Sequence, residues 1–195
     1  AASFVIGFLF TIKLPNPVQE KELTPGTTKT VILKNKFLFL SLLLRHIGAA
    51  AVWTILPIMI VEKLGGELYH ISIVYVANTM TAFILMNVMA SKIHLSNVTK
   101  FKIGIGFTTF VFVGLSIVTE WWMAMPFMAL VGATWAFLFI GGNFHLMENN
   151  PKSTSTGIFS STLSIATVIG PIIAGSVAFL FDYVAVMYFA IAIII

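Results

Sequence analysis

The chain has 195 residues, 58% hydrophobic and 9% charged, with a formal net charge of +4 and no cysteine. A composition this apolar does not suit a water-facing surface, and without thiols there is no disulfide scaffold, thiolate metal site or cysteine nucleophile. The basic residues, Lys21, Lys29 and Lys34 among them, are scattered between apolar stretches, so they build no phosphate groove and nucleic acid is not expected as a partner.

A helix needs about 20 mostly apolar residues to span a bilayer, because it rises about 1.5 Å per residue through a hydrocarbon core about 30 Å thick. Residues 1–12 read as the end of a preceding transmembrane helix. Residues 13–36, rich in Pro, Thr and Lys, read as a cytoplasmic linker. Helices are then predicted at about 37–61, 69–90, 103–119, 123–146, 157–180 and 183–195, the last ending inside an apolar run as a truncated span does. The expected fold class is an all-α membrane protein whose transmembrane bundle covers 37–195. A secretory signal is not expected, since the N-terminal run lacks a basic start and a small-residue cleavage site follows nowhere near it.

Lysine placement gives the orientation, because cytoplasmic loops retain basic residues during insertion. Lys13, Lys21, Lys29, Lys34 and Lys36 precede the first full span, Lys92, Lys100 and Lys102 fall in the third connection and Lys152 in the fifth, with Lys63 alone on the other side. Loops 13–36, 91–102 and 147–156 are therefore expected in the cytoplasm of a multi-pass cell-membrane protein. Trp121 and Trp122 then fall at the outer lipid–water boundary, where indole is favoured. Asn97-Val98-Thr99 matches a glycosylation acceptor, but on a basic inner loop it is a chance match.

Taken in chain order, Arg45 and His46 are the first polar residues set deep in a span. A charge at a helix centre costs about 2.5–3.5 kcal/mol on insertion scales, so Arg45 either snorkels to the inner surface or faces a cavity or partner. His46, Ala50, Trp53 and Pro57 share one helical face, which is either packing or a strip of solute pathway carrying an imidazole, an aromatic wall and a kink. Asn78 lies near mid-membrane and Asn87 nearly opposite it on the helix. Asn78 is either a solute hydrogen-bond group or a bond between helices. Trp135 is a mid-span aromatic that either stacks on solute or packs, and Asn143, His145 and Glu148 gather at the inner end of the same helix.

In the fifth predicted span, Gly157, Ser160, Ser164, Thr167, Pro171, Ala174 and Ala178 recur every three or four residues. Small side chains on one face let membrane helices approach closely, so packing is one reading. Pro171 removes the hydrogen bond to the Thr167 carbonyl, so a bending point is the other.

The layout of a long basic linker before six spans resembles the second half of the major facilitator superfamily, over nearly the whole chain. Leu64-Gly65-Gly66 followed by Ile71-Ser72-Ile73 is similar to that family's short outer turn, with Ser72 in place of a glycine. Gly132 and Trp135, then Gly142-Asn143, Glu148, Pro151, Gly157, Gly170-Pro171 and Gly175, follow the family's order. The inner loop from Met89-Ala90-Ser91-Lys92 to Lys102 departs from it, lacking the acid and arginines usual there. The resemblance implies an N-terminal half of the same polypeptide as partner. It also implies secondary transport of a small solute between rocking halves, and inverted three-helix repeats. Between those repeats the sequence offers only a faint echo, Ile71-Ser72-Ile73 against Thr156-Gly157-Ile158. It further implies that Glu148 is a gate acid closed by Lys92, Lys100 or Lys102, while Pro57, Gly170 and Pro171 are the expected hinges because proline interrupts helix hydrogen bonding.

An intramembrane enzyme is not expected. The histidines 46, 70, 94 and 145 are dispersed, no His-Glu-x-x-His or nucleophile-elbow motif occurs, and no Walker-type phosphate loop is present. Accordingly no catalytic residue, metal or cofactor is assigned. A non-transporting sensor or assembly module is the remaining alternative. The solute is expected to be hydrophobic or weakly polar rather than multiply charged, since Arg45 and the titratable His46 are the only such side chains set deep in the spans.

Overall fold

The computed structural model describes residues 27–194, and these are helical apart from short connections. The helices are α1 (Thr27–Lys34), α2 (Lys36–Glu62), α3 (Leu68–Ser91), α4 (Asn97–Ser116), α5 (Ala124–Asn149), α6 (Lys152–Leu180) and α7 (Tyr183–Ile194), with a 3-10 turn at Trp121–Met123 before α5. Five of them, α2 to α6, are long and apolar enough to cross a membrane. In hydrocarbon each backbone N–H and C=O must be satisfied within the segment, and a helix does this for almost every residue. The chain thus has the make-up of a multi-pass, all-α membrane protein. The predicted end of a preceding helix at 1–12, and linker residues 13–26, lie outside the described residues.

Helix ends are set by local chemistry as much as by apolarity. The turn after α2 closes on Gly65, whose φ of 65° favours a residue without a side chain. Glu67 and His70 form a reciprocal cap at the start of α3, the Glu67 N–H donating to His70 Nδ1 at 2.8 Å. Ser96 accepts from the Thr99 N–H at 3.2 Å, so α4 starts at Asn97 rather than near 103, and Lys100 and Lys102 belong to its first turns instead of a loop. Likewise α5 runs on to Asn149 and α6 begins at Lys152, directly after Pro151. The predicted linker is not wholly irregular, because its residues 27–34 form α1. Val31 of α1 is buried with Phe39, Leu146 and Phe159.

Apart from α4 with α5, helices adjacent in sequence are not the main packing partners. The most extensive contacts are α3 with α5, α4 with α5, α2 with α6, α2 with α7, and α4 with α7. This set maps onto itself when each helix is exchanged for the one three places along, α2 for α5, α3 for α6 and α4 for α7. Three consecutive spans end on the side opposite to where they began, so the second triplet runs inverted with respect to the first. Glycines mark the paired crossings. A Cβ on Gly132 of α5 would lie 2.2 Å from the Asn78 carbonyl oxygen of α3, and one on Gly170 of α6 would lie 2.7 Å from the Ile47 carbonyl oxygen of α2. Without side chains there, the backbones touch and gain dispersion contact that lipid cannot supply.

The interior forms two main apolar layers. One holds Val52, Leu56, Ile60, Val111, Leu115, Met128, Val131 and Met187, towards the end of the bundle with the α2–α3 turn. The other holds Leu42, Phe101, Leu138, Leu146 and Phe159, towards the end with the α3–α4 turn. The small-residue stripe of α6 packs within this bundle only towards its C-terminal end, where Ala174 is buried with Ala51 and Ile55 and Ala178 lies against them. Gly157, Ser160, Ser164 and Thr167 are exposed, and the helix instead buries Phe159, Thr162, Ala166, Gly170 and Ala174.

Candidate functional site

Polar groups collect between the two apolar layers. On α2, Arg45 falls between Leu42 and Ala49; on α4, Thr108 falls between Phe101 and Val111; on α5, Trp135 falls between Val131 and Leu138. Arg45 lies nine residues into α2, about 13 Å along its axis. It is 2% exposed, so the side chain does not snorkel to a surface. Its Nε–H donates to Thr108 Oγ1 at 3.1 Å, and that hydroxyl donates to the Gly104 carbonyl at 2.7 Å. The guanidinium carbon sits 5.7 Å from the centre of the Trp135 ring.

These contacts only partly offset the burial of the charge. A hydrogen bond from a charged group contributes about 1.5–3 kcal/mol, and a cation–π contact about 0.5–2 kcal/mol. Against them stand the insertion cost of about 2.5–3.5 kcal/mol and the further cost, about 1–3 kcal/mol, of a buried donor left without a partner. Arg45 Nη2 is such a donor: it is buried and bonds to nothing among the described residues. No described carboxylate pairs with it. Glu62, Glu67, Glu120, Glu148 and Asp182 all stand at helix ends or in turns, and the one ion pair among the described residues is Lys63 with Asp182.

Beside Arg45, the His46 ring lies 5.4 Å from Trp135, and its buried Nδ1 also has no partner. Trp135 continues to Phe139 at 5.4 Å and Phe139 to Phe159 at 5.7 Å, so an aromatic row runs from α2 across α5 to α6. Asn143, two turns beyond Trp135 on α5, is buried with an unpartnered Oδ1. The arrangement offers one fixed cation, unfilled hydrogen-bonding atoms and a flat apolar wall. Thr108 escaped the sequence reading. The one signal for it was a hydroxyl in an otherwise apolar run, which usually bonds back to its own helix.

The remaining candidates lie elsewhere. Trp53 points to α3, where Tyr75 Oη donates to its carbonyl at 2.9 Å and the rings meet edge to face at 4.5 Å. Asn78 is buried at the crossing of α3 with Gly132, while Asn87 is exposed and bonds to the Phe83 carbonyl at 2.8 Å. Pro57 and Pro171 lie inside α2 and α6, and Gly170, next to Pro171, touches α2 at Ala50 and Ile47. Glu148 is exposed, and its partner is Asn97, whose Nδ2 donates to it at 2.6 Å; none of the three proposed lysines forms an ion pair with it. Lys92 instead lines a cleft of about 470 Å³ with His94, Ser96 and Lys100.

At the opposite end the turns are tied together. The Trp121 N–H donates to the Leu64 carbonyl at 3.0 Å, and its ring stacks on His70 at 3.9 Å. Tyr183 Oη donates to Glu62 at 2.6 Å, and Lys63 pairs with Asp182. The Lys63 ammonium holds the Asp182 carboxyl below the usual carboxylate range, with backbone N–H groups acting in the same direction. Trp122 is exposed, as a lipid-boundary residue would be, whereas Trp121 is half-buried against His70. The chain matches no protein-family model and no curated protein.

Proposed function

We propose that these helices are the C-terminal half of a major-facilitator-type secondary transporter, in which an N-terminal half of the same polypeptide completes the pathway and a small solute crosses by alternating access. The observation that carries this reading is the packing pattern that returns to itself on a three-helix shift, since inverted triplets around a central site are how such carriers build two equivalent gating states. The polar layer of Arg45, His46, Thr108 and Trp135 supports it by its depth between two apolar layers, where a solute site would be reached from either side. The exposed face of α6, with Gly157, Ser160, Ser164 and Thr167, supports it as the surface that meets the other half across the pathway.

The test is solute flux by the complete polypeptide in proteoliposomes. Saturable counterflow, with unlabelled solute inside accelerating entry of labelled solute and no hydrolysis of any co-substrate, is the expected result. A polypeptide that inserts and folds yet gives no counterflow across a broad solute panel returns the reading to a sensor or assembly module.

A further inference from the structure

Resting on that transport reading, we infer that the site takes a singly charged organic anion, a carboxylate carried on an apolar, ring-bearing body, with Arg45 as its counter-ion. The argument begins with charge balance. Arg45 is buried and its Nη2 has no partner among the described residues, whose carboxylates lie at helix ends and in turns. A medium of low dielectric strength holds such a cation at a standing cost, and an arriving anion removes it. One guanidinium with its Nε already committed to Thr108 leaves Nη2 for a carboxylate, and planar recognition of that group is what guanidinium does best. A second negative charge on the ligand would find no second lysine or arginine in this layer among the described residues, so the anion is single.

The body of the ligand follows from the walls. Trp135 lies over the guanidinium and against His46, and the row continues through Phe139 to Phe159. A ring laid along that row keeps its charged end at Arg45. Trp135, half-buried, is the side chain that must turn aside to admit it. His46 Nδ1, buried and without a partner among the described residues, is placed to bond a polar atom of the same ligand.

The experiment measures thermal unfolding of the complete polypeptide in nanodiscs with benzoate, indole-3-acetate and acetate as probes. Benzyl alcohol and benzylamine serve as the neutral and cationic counterparts of benzoate. The ring-bearing carboxylates are expected to raise Tm, acetate less, and the neutral and cationic compounds not at all. Arg45→Gln is expected to abolish the rise, and Arg45→Lys, which keeps the charge without the planar fork, to reduce it. If Arg45→Gln does not fold, Arg45→Lys decides alone, and an undiminished rise in it overturns the inference. So does a benzyl alcohol shift equal to that of benzoate, or no shift with any carboxylate. Counterflow in proteoliposomes separates this idea from the one beneath it. Arg45-dependent stabilisation by benzoate without flux of any solute keeps the anion site and removes transport. Flux of a neutral solute untouched by Arg45→Gln keeps transport and removes the anion site.

Discussion

Gly132→Ala puts a methyl group where α3 and α5 already touch. The added carbon would stand 2.2 Å from the Asn78 carbonyl oxygen and 2.9 Å from the Ala82 nitrogen, against a practical floor of 3.0 Å, so the helices must part by about 0.8 Å. Both obstacles are backbone atoms and cannot rotate away. Overpacking of this kind costs about 1–3 kcal/mol, and alanine returns about 0.5–1 kcal/mol through its better helix propensity, which leaves a net loss of about 0.5–2 kcal/mol. Gly170→Ala meets the Ala50 side chain at 2.6 Å and the Ile47 carbonyl at 2.7 Å, a smaller overlap, and should lose less. Gly106→Ala on α4 meets nothing within 4 Å on an exposed face and should be neutral or stabilising by up to about 1 kcal/mol. Reversible unfolding in bicelles by denaturing-detergent titration ranks the three variants. A Gly132→Ala protein as stable as wild type, or a Gly106→Ala protein that is the worst of the three, would refute the crossing geometry and the packing scheme built on it.

Three further outcomes are expected. Single cysteines at Lys102 and Trp122, both exposed in a chain with no other cysteine, should react with an impermeant maleimide from opposite sides of the membrane, and labelling of both from one side would sink the orientation. Pro171→Ala should slow turnover by up to roughly tenfold, which is about 1.4 kcal/mol on the barrier, while solute affinity holds; unchanged turnover dismisses the hinge next to Gly170. The Lys63–Asp182 tie should weaken in acid. Because Asp182 titrates below its unfolded value, its contribution is present above about pH 4 and is lost as pH falls through the lowered folded value. A spin label at Phe181, exposed beside it, should gain mobility over that range in wild type and show no such transition in Asp182→Asn. The tie lies at the surface, where solvent screens it, so its effect should stay local to the α6–α7 turn.

Much of the architecture could be read directly from the residues. Lipid forbids unsatisfied backbone, so each run of about 20 apolar residues had to become a helix, and α2 to α6 occupy the five predicted runs. Their ends were less legible, because apolarity locates the hydrocarbon while capping locates the helix. Ser96 starts α4 well before its apolar part, and Thr27–Lys34 coils in a stretch that composition marks as linker. A long lysine stem can lie along a first turn, so Lys100 and Lys102 did not have to be loop residues.

Which side chains meet was decided by tertiary structure alone. Periodicity identified small residues on α6, but the rotation of the helix turned Gly170 and Ala174 to the interior and Gly157, Ser160 and Ser164 outward. Trp53 and His46 share a helical face, yet the neighbours differ along it, and one meets Tyr75 of α3 while the other meets Trp135 of α5. The sequence determined by itself that this is a bundle of apolar helices with its lysines biased to one side, because hydropathy and charge act on each segment separately. The fate of Arg45 required the fold. Only the approach of α4 and α5 brings Thr108 and Trp135 to the guanidinium, and the position of every described carboxylate at a helix end or turn leaves its charge uncompensated within this bundle.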